Sequence, residues 1–241
     1  MMETQEVLRN LAPSGVLRVA MNYGNPVLVQ RGASDSQPQG VAADLARAVA
    51  ERLGVTPQFV SYDAAGKVVA GRDNDEWDLA FLAIDPLRAQ RIQFTEAYVQ
   101  IEGTYMVAKD APFTSVDQLD QAGVRIAVGH GAAYDLFLSR HLQHASLERA
   151  STSAAAMDLF AEQKLDAAAG VRQPLLAYVA EHPEYRVLDG HFTAIQQAMA
   201  VPKERQLAYD WLVSFLHEMK HSNFIRAALE ASGQSAEIAA P

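Results

Sequence analysis

The sequence predicts an α/β fold, because short β-rich runs alternate with amphipathic helical windows along most of its 241 residues. Residues 77–84 are nearly all apolar, as expected for a parallel strand that is buried on both faces. Strand, helix and strand in this order favour a parallel sheet covered by helices. At roughly 150 residues per domain, the length allows one large domain or two modest ones.

The first part of the chain contains one well-defined helix between predicted strands. Leu45, Val49 and Leu53 lie four residues apart, which predicts a helix over 44–53 with Gly54 as its C-cap. The predicted strands cover residues 16–21, 58–62 and 77–84.

The second part repeats the alternation around a tight Gly-His-Gly turn at 129–131. The tail after Gly233 is small and polar, and we expect it to fray. The predicted helices cover residues 115–119, 133–141, 153–163, 174–181 and 204–220, and the predicted strands cover 125–128, 165–169, 185–188 and 196–201.

Composition excludes several classes of function. Hydrophobic residues make up 49% and charged residues 20%, which is typical of globular proteins. The net charge of −9 disfavours nucleic-acid binding through phosphate neutralisation. The absence of cysteine excludes disulfides, thiolate metal sites and cysteine nucleophiles. The sequence carries no glycine-rich phosphate or dinucleotide motif, and we expect no cofactor.

The sequence begins MMETQEVLRNLAPSG, which lacks the basic start and apolar stretch of a secretory signal. Its longest apolar run, residues 79–84, is too short to span a membrane. We therefore expect a periplasmic protein if this chain has been trimmed of a signal, and a cytoplasmic one if Met1 or Met2 is the native start.

The order of segments resembles the family 3 solute-binding proteins of bacterial ABC importers, the amino-acid-binding group with the type II periplasmic binding protein fold. Residues 77–99, WDLAFLAIDPLRAQRIQFTEAYV, carry the most specific part of the resemblance. They combine a strand, a Pro-Leu-Arg turn, an Ile-Gln-Phe-Thr stretch and Tyr98 in the family's order. Further matching segments lie at residues 17–22, 40–55, 124–138, 165–174 and 197–203.

The resemblance implies two Rossmann-like lobes joined by two hinge strands. Lobe 1 would be discontinuous, with residues 1–102 and 196–241, and lobe 2 would cover 103–195. A small carboxylate ligand would bind an open form and be trapped by hinge closure. A membrane subunit of an ABC importer would be the partner, and we expect a monomer. The hinge would be tied by hydrogen bonds from Gln100, Glu102, Gln196 and Gln197, although Glu102 also has the length to reach the ligand.

Arg88 is the principal candidate for ligand binding. In the family, the arginine at this place holds the ligand's α-carboxylate, and a guanidinium can donate two parallel bonds to a carboxylate. The alternative is a surface arginine that caps the helix after Asp85 and Pro86. Two neighbours depart from the family pattern. Ala83 stands where a Thr or Ser hydroxyl is usual, and Phe81 replaces a small residue.

The first strand and the loop at Lys67 would supply further walls of the site in lobe 1. Asn22, Tyr23 and Asn25 stand where the family often has an Asp and a stacking aromatic, which favours a neutral or anionic ligand. Lys67 would add positive potential, or would simply be exposed.

In lobe 2, the turn at 129–131 precedes a helix, so its backbone N–H groups and the helix dipole predict an anion site. His130 would face the ligand, or lie in solvent. Ala132 and Ala133 stand where relatives place Ser or Thr, so the ligand contacts there would lack hydroxyls.

Relatives that bind amino acids carry an Asp about two residues before the position of Pro174, and that Asp holds the ligand's ammonium. Here the candidates are Val171 and Arg172. A buried amine without a carboxylate is costly, so an ordinary α-amino acid is disfavoured. Arg88 and Arg172 together would suit a dicarboxylate or another amine-poor acid, unless Arg172 is a surface residue at the start of a helix.

Residues 217–221, His-Glu-Met-Lys-His, match the zincin pattern H-E-x-x-H. Both histidines lie on or near the polar side of a helix, and the sequence offers no persuasive third ligand. We therefore interpret the match as a coincidence and expect no metal. His141 and His144 form a second close pair, which we assign to the surface.

The sequence favours a solute-binding protein that captures a small carboxylated metabolite, and two alternatives stay open. The first is an enzyme on the same scaffold, a dehydratase resembling cyclohexadienyl dehydratase, with His130 or Glu102 as general acid or base. The second is a cytoplasmic ligand-sensing module.

Overall fold

The structure is a computed structural model that describes residues 2–34 and 37–241. Contacts divide the chain into two compact units. Unit 1 comprises Met1–Asp63, Lys67–Gln100 and Gln196–Pro241, and unit 2 comprises Ala64–Gly66 and Ile101–Ile195. Apart from the short segment Ala64–Gly66, the chain passes between the units after residues 100 and 195, and the boundaries implied by the family resemblance lie after 102 and 195.

Nine strands and eight helices alternate along the described residues. The strands are β1 (Leu17–Asn22), β2 (Pro57–Tyr62), β3 (Leu79–Ala83), β4 (Ile92–Ala108), β5 (Arg125–Gly129), β6 (Ser146–Ala150), β7 (Ala167–Val171), β8 (Tyr185–Val187) and β9 (Thr193–Pro202). The helices are α1 (Met2–Leu11), α2 (Val41–Leu53), α3 (Ala65–Asp73), α4 (Ala133–His141), α5 (Ser153–Gln163), α6 (Arg172–Glu181), α7 (Gln206–His221) and α8 (Phe224–Ala231). These elements confirm the predicted α/β fold.

In unit 1 the sheet has the strand order β2-β1-β3-β9. β1 runs parallel to β2 and to β3, whereas β9 is antiparallel to β3. All five residues of β3 are buried, as its apolar sequence predicts. The expectation of a parallel sheet is therefore wrong at β9, because this strand returns from unit 2 beside β3.

In unit 2 the sheet has the order β4-β7-β5-β6, and β8 pairs with β4. β5 is parallel to β6 and to β7, and β4 is antiparallel to β7 and to β8. The sequence did not predict β6. It is an edge strand whose residues are exposed or half-buried, so its sequence lacks an apolar run.

Two helices have the predicted bounds, 133–141 and 153–163. α2 begins earlier than predicted, at Val41, and it ends at Gly54 in the left-handed conformation with φ of 70°. α6 begins at Arg172 rather than at Pro174, which is compatible with a proline in the first turn because the N–H groups there have no partner within the helix.

The two ends of the described chain differ from the expectations. α1 was not predicted; it packs on α7, and its residues Val7 and Leu11 are buried. Asn10 accepts the N–H of Ala208 at 2.9 Å and so caps the first turn of α7. The expectation that the tail frays is wrong, because Ala239 pairs with Val99 and the N–H of Ala240 donates to the carbonyl of Tyr98 at 3.0 Å.

A buried carboxylate joins the sheet of unit 1 to these helices. Asp78 is fully buried and accepts hydrogen bonds from the guanidinium of Arg18 at 2.8 and 2.9 Å. Hydrogen bonding to Asp78 raises the pKa of Arg18. Arg205 lies 3.7 Å from the same carboxylate and donates to the carbonyls of Asn10 and Leu11, so the C-terminus of α1 is fixed as well. No helix among residues 2–34 and 37–241 is long and apolar enough to cross a membrane.

Candidate functional site

The candidate site in unit 1 lies where β1, β2 and β3 end. Because these strands are parallel, their carboxyl ends lie at one edge of the sheet. Asn22, Tyr62 and Ala83 are the last residues of the three strands. Loops at this edge of an α/β sheet are the usual place for a ligand.

Arg88 follows β3 through a turn that Asp85 holds. The carboxylate of Asp85 accepts the N–H of Leu87 at 2.8 Å and that of Arg88 at 3.4 Å. The side chain of Arg88 then turns back, and Nη1 donates to the carbonyl of Ala83 at 3.0 Å. This return places the guanidinium at the carboxyl end of β3.

Arg88 is only 3% exposed, so its interpretation as a surface arginine is wrong. Burial lowers its pKa to about 10, and the neighbouring charge of Asp85 partly opposes that shift. Arg88 therefore stays positively charged at neutral pH. The cation lies in a largely desolvated position, where a carboxylate would be attracted more strongly than in water.

Phe81 and Ala83 lie two residues apart on β3 and so share one face of the strand. The ring of Phe81 packs edge-on against Tyr98, with centroids 5.8 Å apart. Tyr98 is fully buried, and its hydroxyl has no hydrogen-bond partner among the described residues. Burial raises the pKa of Tyr98. The predicted residues Phe81 and Ala83 are thus part of an apolar wall.

The loop after β1 is held by its own polar groups. Asn22 Oδ1 accepts the N–H of Gly24 at 3.0 Å. A Cβ at Gly24 would lie 2.4 Å from the carbonyl oxygen of Asp63, so only glycine fits this turn. Tyr23 donates its N–H to the carbonyl of Tyr62 at 2.8 Å. The side chain of Asn22 is therefore used to shape the loop.

The remaining predicted side chains of unit 1 differ in exposure. Asn25 Oδ1 is buried and has no hydrogen-bond partner among the described residues. Lys67 is half-exposed, and its ammonium lies 2.7 Å from Asp63. The hydrogen bond from Lys67 lowers the pKa of Asp63. The positive charge predicted for Lys67 is thus largely compensated by its neighbour.

In unit 2 the N–H groups of residues 130–132, at the turn where an anion site was predicted, already donate within the unit. That of His130 donates to Ala150 at 2.8 Å, and that of Ala132 donates to Gly129 at 3.1 Å. The N–H of Gly131 donates to the Asp135 carboxylate at 2.8 Å. The carboxylate of Asp135, in the first turn of α4, thus takes up one of these donors, and an anion site at the remaining N–H groups of that turn stays a prediction.

Asp135 is buried, and Arg149 lies 3.0 Å from its carboxylate. The pair therefore adds no net charge to the turn. His130 is exposed, and Ala132 and Ala133 are half-buried and offer no side-chain polar group. A direct role of these three residues in ligand binding stays a prediction.

Arg172 is the first residue of α6 and follows β7. Its Nε donates to the carboxylate of Glu102, and its other nitrogens donate to the carbonyls of Leu188 and Gly190. The side chain is 24% exposed, so Arg172 is neither buried nor freely solvated. The sequence did not indicate that Arg172 pairs with Glu102. The carboxylate of Glu102 balances the positive charge of Arg172, which the sequence analysis had assigned to a second anionic group of the ligand.

Glu102 also lies 3.1 Å from Nδ1 of His191. Thr104, two residues along β4, donates to the carbonyl of Gly190 at 3.0 Å. Both contacts fix the turn over residues 188–191. The family resemblance implied a hinge strand that contains Glu102, but nothing in the sequence indicated that Glu102 and Thr104 hold the turn over residues 188–191.

At the start of β9, Gln196 donates to Gln100 Oε1 at 2.7 Å, which is a hydrogen bond of the kind predicted for the hinge. Gln197 is buried and pairs with Ala83 in the register of β3 and β9. The mechanical role of Gln100, Glu102, Gln196 and Gln197 stays a prediction.

Within the described part of the chain, no three His, Cys, Asp or Glu side chains converge to hold a metal. Glu218 of the H-E-x-x-H stretch lies 2.9 Å from Arg52. The glutamate that would act as general base in a zincin is thus held in an ion pair.

Comparisons with known proteins place the chain in a family. The family model described as bacterial extracellular solute-binding proteins, family 3, matches residues 17–231. A search of curated proteins gives no match. Among solved structures, a mutant of ArgBP from T. maritima is 22% identical, with a TM-score of 0.79 over 94% of this chain and 99% of that one.

Two further solved structures show the same fold. The solute receptor for L-cysteine of Neisseria gonorrhoeae is 23% identical, with a TM-score of 0.80 over 94% of this chain and 92% of that one. The ancestral amino acid-binding protein AncCDT-1, a precursor of cyclohexadienyl dehydratase, is 23% identical, with a TM-score of 0.76 over 95% of this chain and 98% of that one. The match over residues 17–231 shows that the chain belongs to family 3 of the bacterial extracellular solute-binding proteins, a family of binding proteins with the type II periplasmic binding fold.

Proposed function

We propose that this protein binds a small carboxylated solute through Arg88 and delivers it to an ABC importer outside the cytoplasm. The observation that carries the proposal is the buried guanidinium at the carboxyl end of β3. The family match supports the importer as partner and the extracytoplasmic location.

The energetics of Arg88 favour an anionic ligand. Taking a guanidinium out of water is unfavourable, and the lowered pKa of Arg88 reflects that penalty. A carboxylate that bonds two guanidinium nitrogens would compensate for part of it. Because Arg88 is 3% exposed, we propose that the residues that cover it move before a solute binds, so that binding is coupled to a conformational change.

The structure favours a ligand with one carboxylate contact over a ligand whose two anionic groups bind Arg88 and Arg172. The similar structures include ArgBP from T. maritima with arginine bound, a solute receptor for L-cysteine and a binding component complexed with lysine. In this chain Arg172 is bonded to Glu102, so a second anionic group of the ligand would have to compete with that carboxylate. We therefore propose one carboxylate contact, at Arg88, and an amino-acid-like or oxo-acid ligand.

A ligand panel tests the proposal. Amino acids, oxo acids and dicarboxylates are screened by thermal shift, and each hit is titrated by calorimetry against the wild type, Arg88→Ala and Arg91→Ala. Arg91 is the matched control, because it lies three residues further on, is exposed and pairs with Asp73. We expect at least one carboxylate to bind the wild type and Arg91→Ala, and not Arg88→Ala. Equal binding by Arg88→Ala would overturn the assignment.

A further inference from the structure

The last turn of α7 carries two histidines, four residues apart, that the proposed function does not use. His217 and His221 are both exposed, and their ring centroids lie 4.2 Å apart. Residues four apart on a helix lie on the same face, so both imidazoles project from one side of α7. The spacing is that of a two-histidine metal chelate on a helix.

A hydrogen bond suits His221 for metal binding. Its Nδ1 lies 2.7 Å from the carbonyl oxygen of His217. A carbonyl only accepts, so in the neutral ring Nδ1 carries the proton and Nε2 keeps its lone pair. Metal-bound histidines commonly donate their second ring N–H to a backbone carbonyl in this way.

Basic and acidic side chains both lie around the pair. Lys220, between the two histidines in sequence, is mostly buried; it donates to the carbonyl of Ala97 at 3.2 Å and lies 3.4 Å from the carboxylate of Glu96. Glu96, Arg226 and both histidines line the same surface cavity of about 490 Å³. The last carbonyls of α7 contribute partial negative charge, which favours a cation at this end of the helix.

The structure also limits what such a site can do. No third His, Cys, Asp or Glu converges on the pair among the described residues, so water would complete the coordination shell. Glu218 is paired with Arg52 and is not available as a general base. The arrangement therefore supports reversible binding of a metal ion and does not support zincin chemistry.

We propose that His217 and His221 form a two-imidazole site for a divalent transition-metal ion, separate from the solute site at Arg88. Imidazole is a ligand for Zn²⁺, Ni²⁺ and Cu²⁺, and the general affinity order places Cu²⁺ above both of the others. Mg²⁺ prefers oxygen ligands and does not bind here.

Calorimetric titration of the metal-free, tag-free full chain with ZnCl₂, NiCl₂, CuCl₂ and MgCl₂ tests the proposal. The wild type binds one Zn²⁺, Ni²⁺ or Cu²⁺ ion per chain, Cu²⁺ most tightly, and does not bind Mg²⁺. His217→Ala and His221→Ala each weaken binding by at least the ~10-fold that loss of even an outer-shell partner produces. Both side chains are exposed, so both variants keep the fold, which circular dichroism checks.

His141→Ala is the matched control. His141 makes the same Nδ1 contact to a carbonyl, that of Phe137, at 2.7 Å, but His144 lies beyond the end of α4, so the two do not form a helical pair. This variant keeps wild-type metal affinity. The proposal fails if the wild type shows no saturable binding, if only one of the two α7 variants loses affinity, or if His141→Ala loses as much. Arg88→Ala keeps the metal site whatever its effect on solutes.

Discussion

The two units place arginines after the carboxyl ends of their central strands, but they treat the charges differently. In unit 1, Arg88 is 3% exposed and donates to a neutral carbonyl, that of Ala83. In unit 2, Arg172 donates to the carboxylate of Glu102, and Arg149 lies against Asp135. Under the proposed function, Arg88 of unit 1 binds the ligand, whereas Arg172 and Arg149 of unit 2 are bonded to acidic residues of their own unit.

The backbone shows the same contrast. In unit 2 the turn before α4 uses its N–H groups internally, and Asp135 takes the one from Gly131. In unit 1 a carboxylate also holds a turn, since Asp85 accepts the N–H groups of Leu87 and Arg88, but that turn positions the buried arginine. Similar local chemistry thus stabilises a loop in one unit and presents a charged group in the other.

The largest expected effect is a difference in carboxylate affinity between alanine variants of Arg88 and Arg172. Arg88→Ala weakens carboxylate binding by about 2–5 kcal/mol, the usual cost of removing one partner of a buried charge pair. Arg172→Ala weakens it by less than about 1.4 kcal/mol, or tenfold, because Arg172 is already neutralised by Glu102. Calorimetric titration with the hits of the ligand panel measures both values. A larger loss in Arg172→Ala would instead favour a ligand with two anionic groups.

The second prediction concerns the buried acid of unit 2. Asp135→Ala leaves the N–H of Gly131 and the guanidinium of Arg149 without their carboxylate. We expect a loss of about 3 kcal/mol in the free energy of unfolding, at the lower end for a broken buried pair because Arg149 is partly solvated. Urea denaturation measures the loss, with exposed Glu162→Ala on α5 as the control. A change as small as that of the control would contradict the structural role of Asp135.

Two tyrosine hydroxyls give a third, smaller contrast. The buried hydroxyl of Tyr98 in unit 1 has no hydrogen-bond partner among the described residues, whereas that of Tyr134 in unit 2 donates to Ser153 at 2.7 Å. Tyr98→Phe should therefore raise the free energy of unfolding by about 1 kcal/mol, and Tyr134→Phe should lower it by about 1 kcal/mol. Urea denaturation measures both values. If the free energy of unfolding changes in the same direction in both variants, the proposed difference between the two hydroxyl environments is wrong.

The smallest expected effect is a pH dependence. Backbone N–H groups of Ala145, Gln143 and His144 hold the pKa of Asp120 below its usual value. The ionised form thus stabilises the fold above the ordinary pKa of an aspartate, and this contribution is lost as the pH falls through the lowered pKa.

Asp120→Asn should therefore be less stable than the wild type at pH 7, and the difference should shrink in acid. Asp63→Asn in unit 1 should show a weaker trend, because its main partner is the half-exposed ammonium of Lys67. Urea midpoints measured from pH 7 to pH 3 make both comparisons. A difference for Asp120→Asn that persists unchanged in acid would contradict the assignment.

The sequence predicted the elements whose signals are local. The apolar run at residues 77–84 contains β3, the spacing of Leu45, Val49 and Leu53 locates α2, and Gly54 ends that helix. It could not predict β4 as a single strand from 92 to 108, because its burial pattern does not alternate. Nor did it predict that the residues after Gly233 are held by Tyr98 and Val99, since that pairing joins distant parts of the chain.

In the candidate site, too, some residues could be predicted from local sequence and others depend on contacts between distant parts of the chain. Arg88 was predicted as a binding residue from the family resemblance of residues 77–99, and the structure adds that its side chain is buried at the end of β3. The partners of Arg172 and Gly131 could not be read from the sequence, because Glu102 lies 70 residues from Arg172 and the Asp135 contact depends on the conformation of the turn. Those two contacts decide whether unit 2 offers a charge to a ligand, and only the folded chain shows them.

The most direct test of the central claim is a thermodynamic cycle between Arg88 and the ligand's carboxylate. A carboxylic acid that binds and its uncharged carboxamide are each titrated against the wild type and against Arg88→Ala. If Arg88 holds the carboxylate, the wild type prefers the acid, and Arg88→Ala loses that preference, with a coupling energy of about 2 kcal/mol or more. If the preference for the acid is the same in both proteins, Arg88 does not bind the carboxylate and the account is wrong.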